Sequence, residues 1–218
     1  MSKTFAFDVY GTLINTHGLI ALLEDWIGDK ASAFSQTWRD KQLEYSFRRG
    51  LMKTYQPFSV CTQHALDYSC DYHNVELSDE QKTRLLEGYL SLPAFGDVAE
   101  ALKRLKAAGH RLFAFSNGET QAVNTLLDRA ELHAFFDGVI SCEDIETFKP
   151  NPDVYQYLID CTGAFNVWLV SSNPFDILGA MSSGIQSVWV KRSEEALFDP
   201  WGIEPTRTIS TLEQLITD

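Results

Sequence analysis

The sequence predicts an α/β fold: a doubly wound parallel sheet, interrupted after its first strand by a block of helices. Three observations carry this. Residues 5–13, Phe-Ala-Phe-Asp-Val-Tyr-Gly-Thr-Leu, read as an apolar strand that ends on a lone carboxylate and a tight turn. From Leu13 to about residue 91 the apolar residues recur mainly at helical spacing. Past Pro93 short apolar strands alternate with amphipathic helices, the pattern of parallel βαβ units.

The elements follow in order. The first strand, residues 4–7, is expected to join the same sheet as the later ones. Leu19-Ile20, Leu22-Leu23 and Trp26-Ile27 mark a first helix, and Phe34, Trp38, Leu43, Tyr45 and Phe47 a second over 33–52. A third is predicted over 62–74. A fourth starts at Ser78, whose hydroxyl can cap Asp79-Glu80-Gln81, and runs to residue 90. Then come a helix over 98–108 closed by Gly109, a strand over 111–115, a helix over 120–129 and a strand over 138–141. A helix over 151–161, a strand over 167–170, a helix over 177–183, a strand over 187–190 and a closing helix over 212–216 complete the series. The economical architecture is a Rossmann-like core from residues 1–13 and 93–218, with a helical cap at 14–92.

Composition narrows the function classes. A chain of 218 residues that is 44 % hydrophobic and 12 % aromatic can build a full core. Its net charge of −12 argues against nucleic acid or an anionic membrane as partner, since both need basic patches. A site for a small anion must therefore concentrate its own positive charge. Cys61, Cys70, Cys142 and Cys161 lie at wide, irregular spacing, neither a metal-ligand pattern nor a disulfide framework. They read as reduced thiols of a cytoplasmic protein. There is no basic start followed by an apolar h-region, and no apolar run of membrane-spanning length.

Four polar clusters each follow an apolar strand. Asp8 follows the first, Ser116-Asn117-Gly118 the second, Lys149 the third through a short loop, and Ser171-Ser172-Asn173 the fourth, with Asp176 three residues on. A Ser or Asn after a strand commonly caps the next helix. All four together are better explained by convergence, because the carboxyl ends of parallel strands line one crevice.

In order, these clusters resemble the motifs of the haloacid dehalogenase superfamily. Asp8-Val9-Tyr10-Gly11-Thr12-Leu13, Phe115-Ser116-Asn117-Gly118, Lys149-Pro150 with Tyr155, and Val170-Ser171-Ser172-Asn173 with Asp176 are similar to its 2-haloacid dehalogenase branch. So is Trp38-Arg39-Asp40-Lys41-Gln42-Leu43-Glu44-Tyr45 in the second helix, and the likeness spans nearly the whole chain. Phosphatases of the superfamily carry a second Asp two places after the first. This chain has Tyr10, and a phenol with a reference pKa of about 10 is a poor proton donor near neutral pH. Those phosphatases also hold Mg²⁺ with an acidic residue after the fourth strand, where this chain has Ser-Ser-Asn, so no metal and no cofactor are expected.

The resemblance implies hydrolytic dehalogenation of short (S)-2-haloalkanoic acids to (R)-2-hydroxy acids through an ester on Asp8. It places Lys149 beside Asp8 as counter-charge, and Ser171, Asn173 and Asp176 around the attacking water. Arg39 and Asn117 would receive the halide and Ser116 the substrate carboxylate. Tyr10, Thr12 and Tyr155 join the binding set. Leu43, Phe58 and Phe175 suit an apolar wall, though plain core packing fits each as well. Asp176 also reads as a structural partner of Lys149. Asp40 is a departure, a possible extra anion near the halide path. The five histidines show no pairing with these clusters. A homodimer is compatible with the apolar cap helices. A phosphatase of the same superfamily, or a non-catalytic binder of organic acids, are the alternatives.

Overall fold

Every residue of β1 (Thr4–Asp8) is buried, which requires a strand covered on both faces and therefore central in its sheet. The computed structural model, which describes residues 2–216, places it there. The strand order is β3-β2-β1-β4-β5-β6, formed by β2 (Arg111–Ser116), β3 (Gly138–Ser141), β4 (Val167–Ser171), β5 (Gln186–Val190) and β6 (Arg207–Ile209). All neighbours pair parallel. The chain builds outward from β1 to β3 on one side, then crosses to β4 on the other. The order thus reverses at β1, the point where open parallel sheets leave a crevice.

Alternation along β1 sorts the two layers. Phe5 and Phe7 face a core built with α5 (Val98–Ala107) and α6 (Thr120–Arg129), through Val98, Leu102, Val123 and Leu127. Ala6 faces the opposite core, where Val154, Tyr155 and Leu158 of α7 (Pro152–Thr162) meet Ile177 of α8 (Pro174–Ser182). Both of these last helices carry proline at their start, where the missing N–H costs no helical bond.

Between β1 and α5 lie α1 (Ile20–Ile27), α2 (Ala31–Met52), α3 (Phe58–His73) and α4 (Asp79–Gly88). Ser78 and Gln81 form the reciprocal cap expected at the start of α4. Trp38 of α2 is buried, donates its indole N–H to the Thr62 carbonyl at 2.9 Å and packs edge-on against Tyr89. The two connections to the sheet run side by side. Ile14 bridges antiparallel to Ala94, Asn15 N donates to Pro93 O at 2.8 Å, and Phe95 N donates to Leu13 O at 3.0 Å.

The structure departs from the sequence reading in several places, among them α8, which begins at Pro174, three residues before the predicted start. β6 is an added edge strand of three residues, too short to show a period. The segment Leu212–Ile216 is a 3-10 turn. α3 begins at Phe58, four residues before the predicted start, because burying Phe58 against Phe148 and Tyr10 rewards helix there.

Gly179 of α8 lets Tyr155 lie flat against that helix. A Cβ at this position would sit 2.5 Å from Tyr155 Cε2 and 2.6 Å from Cζ, closer than real contacts. Gly179→Ala is expected to destabilise the fold by about 1–3 kcal/mol through overpacking, despite alanine's better helix propensity. Urea unfolding measures it; unchanged or raised stability would contradict the packing described.

Candidate active site

The turn after β1 is what presents Asp8. Gly11 takes a left-handed φ of 86°, which a residue with a Cβ rarely adopts, and its N–H donates to Ile14 O at 2.8 Å. Leu13 N returns to Val9 O, so the chain folds back on itself and brings Thr12 under Asp8. Thr12 Oγ1 donates to Asp8 Oδ2 at 2.7 Å. Asn173 Nδ2 donates to the same oxygen at 2.8 Å. Lys149 Nζ reaches the other oxygen, Oδ1, at 3.1 Å.

Asn173 sits at the N-cap position of α8 but makes no side-chain cap bond to it. Its amide is turned instead onto Asp8 Oδ2 and the Tyr10 carbonyl. Asn151 caps α7 in the ordinary way, by accepting from Asp153 N. Two asparagines in similar sequence settings thus do different work.

Lys149 is 1 % exposed. Its ammonium donates to Asp8 Oδ1, to Asp176 Oδ2 at 2.9 Å and to the Phe115 carbonyl at 2.9 Å, above the Phe115 ring. Burial alone disfavours the ammonium, but Asp176 and Asp8 outweigh it and hold the pKa above the ordinary lysine value. Asp176 is fully buried, and Tyr155 donates to its Oδ1 at 2.9 Å. Burial first, and the Asp8 charge next, raise the Asp176 pKa against the opposing pull of Lys149.

Ser116, Asn117, Ser171, Thr12, Tyr155 and Tyr10 adjoin this centre, several in altered parts. Ser116 Oγ accepts from Gly118 N, and Asn117 Oδ1 accepts from Lys149 N at 2.9 Å. Ser171 Oγ accepts from Asn173 N at 3.1 Å and so shapes the turn that aims Asn173. Thr12 and Tyr155, expected in the binding set, are fully buried and bond the two carboxylates. Their side chains hold Asp8 and Asp176 rather than face a substrate. Tyr10 packs against Phe58 and Tyr89; burial and then Glu119 raise its phenol above the ordinary value, which makes it a poorer proton donor still.

Arg39 comes over from α2 with Nη2 3.4 Å from the Tyr10 carbonyl, while its Nη1 is buried with no hydrogen-bond partner among the described residues. Leu43 is half-buried one turn further along α2, and Phe175 packs edge-on against Phe47. Phe58 and Phe148 form a small apolar cluster with Cys61. Asp40 is exposed and accepts from Gln36 at 2.8 Å on the outer side of α2, so the anion expected near the halide path points away from it.

The sequence reading gave Ser172 no role of its own within its cluster, and it missed Glu119. Ser172 N donates to Thr12 Oγ1 at 2.8 Å and Ser172 Oγ to Gly11 O at 2.8 Å, locking the β1 and β4 turns together. Its place in the Ser-Ser-Asn run was the available signal. Glu119 accepts from Ser59 N and Oγ, joining the start of α3 to the loop after β2, with no local signal at all. All four cysteines are free, and burial pushes the Cys142 thiol up to about 12, which removes it as a nucleophile. No helix among the described residues is long and apolar enough to cross a membrane.

The chain is similar to known proteins in sequence and in fold. The family profile of haloacid dehalogenase-like hydrolases matches residues 2–184. An (S)-2-haloacid dehalogenase of Pseudomonas putida is 36 % identical over 96 % of this chain and 92 % of its own length. Haloacetate dehalogenase H-2 of Moraxella is 33 % identical over 98 % and 96 %. The L-2-haloacid dehalogenase of Xanthobacter autotrophicus, solved with chloropropionic acid covalently bound, superimposes with a TM-score of 0.91 at 29 % identity, covering 99 % of this chain and 97 % of that one. With a matching profile over most of its length and relatives over nearly all of it, this chain belongs to the haloacid dehalogenase-like hydrolase family.

Proposed function

We propose that the protein hydrolyses short (S)-2-haloalkanoic acids to (R)-2-hydroxy acids through an ester on Asp8. The observation that carries this reading is the unequal bonding of the Asp8 oxygens. Oδ2 accepts from both Thr12 and Asn173, whereas among the described residues Oδ1 accepts from Lys149 alone. A carboxylate oxygen has two lone pairs, so Oδ1 keeps one with which to attack carbon.

Attack at C2 from the side opposite the halogen forms the C2–Oδ1 bond as the carbon–halogen bond breaks, and inverts C2. The halide leaves with the bonding pair. The buried, unpaired Nη1 of Arg39 is a donor suited to it, with Asn117 as the second. Ser116 and neighbouring loop amides are the groups for the substrate carboxylate, and Tyr10, Leu43, Phe58 and Phe175 the apolar surround.

In the ester, Oδ2 becomes the carbonyl oxygen, with Thr12 and Asn173 already aimed at it. As water adds to Cγ, negative charge develops on Oδ2 and these two donors stabilise it. Asp176, with its raised pKa, accepts the water's proton, and Ser171 and Asn173 shape the approach. As the Cγ–Oδ1 bond breaks, the departing alkoxide takes back the proton held by Asp176 and leaves as the hydroxy acid, and the Asp8 carboxyl, now carrying the water's oxygen, loses its remaining proton to solvent. The helical cap, read as residues 14–92 over a core of 1–13 and 93–218, keeps bulk water out.

Lys149 Nζ fills the space between Asp8 and Asp176. A divalent cation needs oxygen ligands around such a space, so the donor set favours a metal-free reaction and opposes the phosphatase alternative. The four free thiols support a cytoplasmic location, and Leu51, Met52 and Tyr72, exposed on the cap helices, support a homodimer.

Halide release from the two enantiomers of 2-chloropropionate, with chiral chromatography of the product, tests the reaction directly. Only the S form is expected to turn over, and only to R product. Asp8→Asn is expected to lose at least about 10⁴-fold in kcat, since an amide cannot replace the nucleophile. A single turnover in water enriched in heavy oxygen is expected to leave the label on Asp8; label in the hydroxy acid would mean direct attack by water and defeat the ester route.

Activity is expected to survive prolonged treatment with EDTA. Complete loss with recovery on adding Mg²⁺ would move the chain to the phosphatase alternative.

The pH profile follows from Lys149. A raised pKa keeps the ammonium protonated to higher pH, so kcat/KM is expected to hold on the alkaline side up to the ordinary lysine value of about 10.4. An alkaline limb centred between pH 7 and 8 would show that Lys149 loses its proton early and that the charge arrangement is wrong.

A further inference from the structure

We propose that Arg192 and Asp97 are positioning residues for Asp8, acting through the backbone carbonyl of Thr12. The inference rests on the proposed role of Asp8 as nucleophile. Thr12 is held at both ends. Its hydroxyl donates to Asp8 Oδ2, and its carbonyl accepts from Arg192 Nε at 3.1 Å and Nη2 at 2.6 Å. Rotation or retreat of this one residue would move the Oδ2 donor, and with it the angle at which Oδ1 faces C2.

Arg192 is itself fixed from behind. Its Nη1 meets both oxygens of Asp97, at 2.9 Å and 2.7 Å, and the guanidinium lies 4.3 Å from the centre of the Phe95 ring. Asp97 occupies the N-cap position of α5 yet makes no side-chain cap bond there. Its Oδ2 accepts instead from Leu212 N at 2.7 Å. An aspartate at that position ordinarily accepts from the first turn of its own helix. Its diversion to Arg192 and Leu212 is what gives the clamp its fixed base.

Both side chains are largely enclosed, 14 % and 15 % exposed. The fork geometry of a guanidinium suits one flat anchor and one carbonyl at once. The clamp also spans the two connections to the cap, because Thr12 adjoins the Leu13–Asn15 crossing and Phe95 lies in the other. Phe95 N donates to Leu13 O between them. The same guanidinium therefore sets the nucleophile turn and the ribbon from which the cap is hung.

Four variants, read first by kinetics and then by hydrogen exchange, test this. In Arg192→Ala the first-order rate of ester formation, followed by mass spectrometry of the protein in single turnovers with 2-bromopropionate, is expected to fall between about tenfold and a hundredfold, the scale set by misplacing a reacting group. KM is expected to stay within about twofold, because Arg192 touches no substrate. Arg192→Lys, which keeps one donor for the carbonyl, is expected to recover part of the rate. Asp97→Asn is expected to lose less than Arg192→Ala, and the double variant no more than Arg192→Ala alone, as residues acting in series are not additive. Amide hydrogen exchange is the second readout and needs no turnover. Faster exchange at Gly11, Leu13 and Ser172 in Arg192→Ala is expected. A folded Arg192→Ala protein with wild-type ester formation and a lowered melting temperature would reduce the pair to a structural role and overturn the proposal. So would unchanged exchange at those amides. Should wild type release no halide from any 2-haloacid, the functional reading fails, and the proposal's claim on the reaction fails with it; exchange then still reports whether the clamp holds the turn.

Discussion

A lysine ammonium buried to 1 % exposure and hydrogen-bonded to two carboxylates and a carbonyl constrains everything near it. An unpaired charge in that position is prohibitive, and removing one partner of a buried pair costs about 3–5 kcal/mol. Asp8 must therefore end β1, Phe115 must lie beside it at the end of β2, and Asp176 must open α8 across β4. These three elements are adjacent only in a sheet that places β1 between β2 and β4, and that is the observed order. One interaction thus ties the strand order to the chemistry.

Around that centre the chain repeatedly diverts residues from local duties. Asn173 and Asp97 both stand where they would cap a helix, and neither does. Pro174 at the start of α8 lowers the demand for a cap, since it brings no N–H of its own. Ser171 and Ser116 take the reverse course, accepting backbone N–H groups two residues on and so stiffening the turns that carry Asn173 and Asn117. Groups that touch the carboxylates are held by groups that do not, and the hold is mostly backbone.

Helices α2 and α3 reach the sheet layer at Tyr10 and at the loop after β2. Arg39 reaches the Tyr10 carbonyl, Phe58 stacks near the Tyr10 ring, and Ser59 donates to Glu119 on the loop that follows Asn117. Tyr10 thus lies where α2 and α3 meet the sheet layer. A carboxylate at that position would face Phe58 and Tyr89 instead of water, so the phenol suits the apolar seam as much as it removes a general acid.

What the sequence by itself determined was the class of fold, nearly every helix and strand, and the set of side chains that converge on Asp8. Those follow from local rules: apolar period, proline and glycine punctuation, and polar residues placed just beyond apolar strands. Tertiary structure alone decided how the converged residues divide the work. That Thr12 and Tyr155 hold carboxylates, that Asp40 faces solvent, and that Asn173 bonds Asp8 while Asn151 caps its helix all depend on which neighbour lies within 3 Å. Arg192 stands in a charged run, Lys191-Arg192-Ser193-Glu194-Glu195, that reads as solvated surface. Only the meeting of β5's end with the β1 turn, 180 residues apart in sequence, brings its guanidinium to Thr12. Hydrogen bonds and ion pairs act over ångströms, and no pattern local to the chain encodes a partner brought there by the fold.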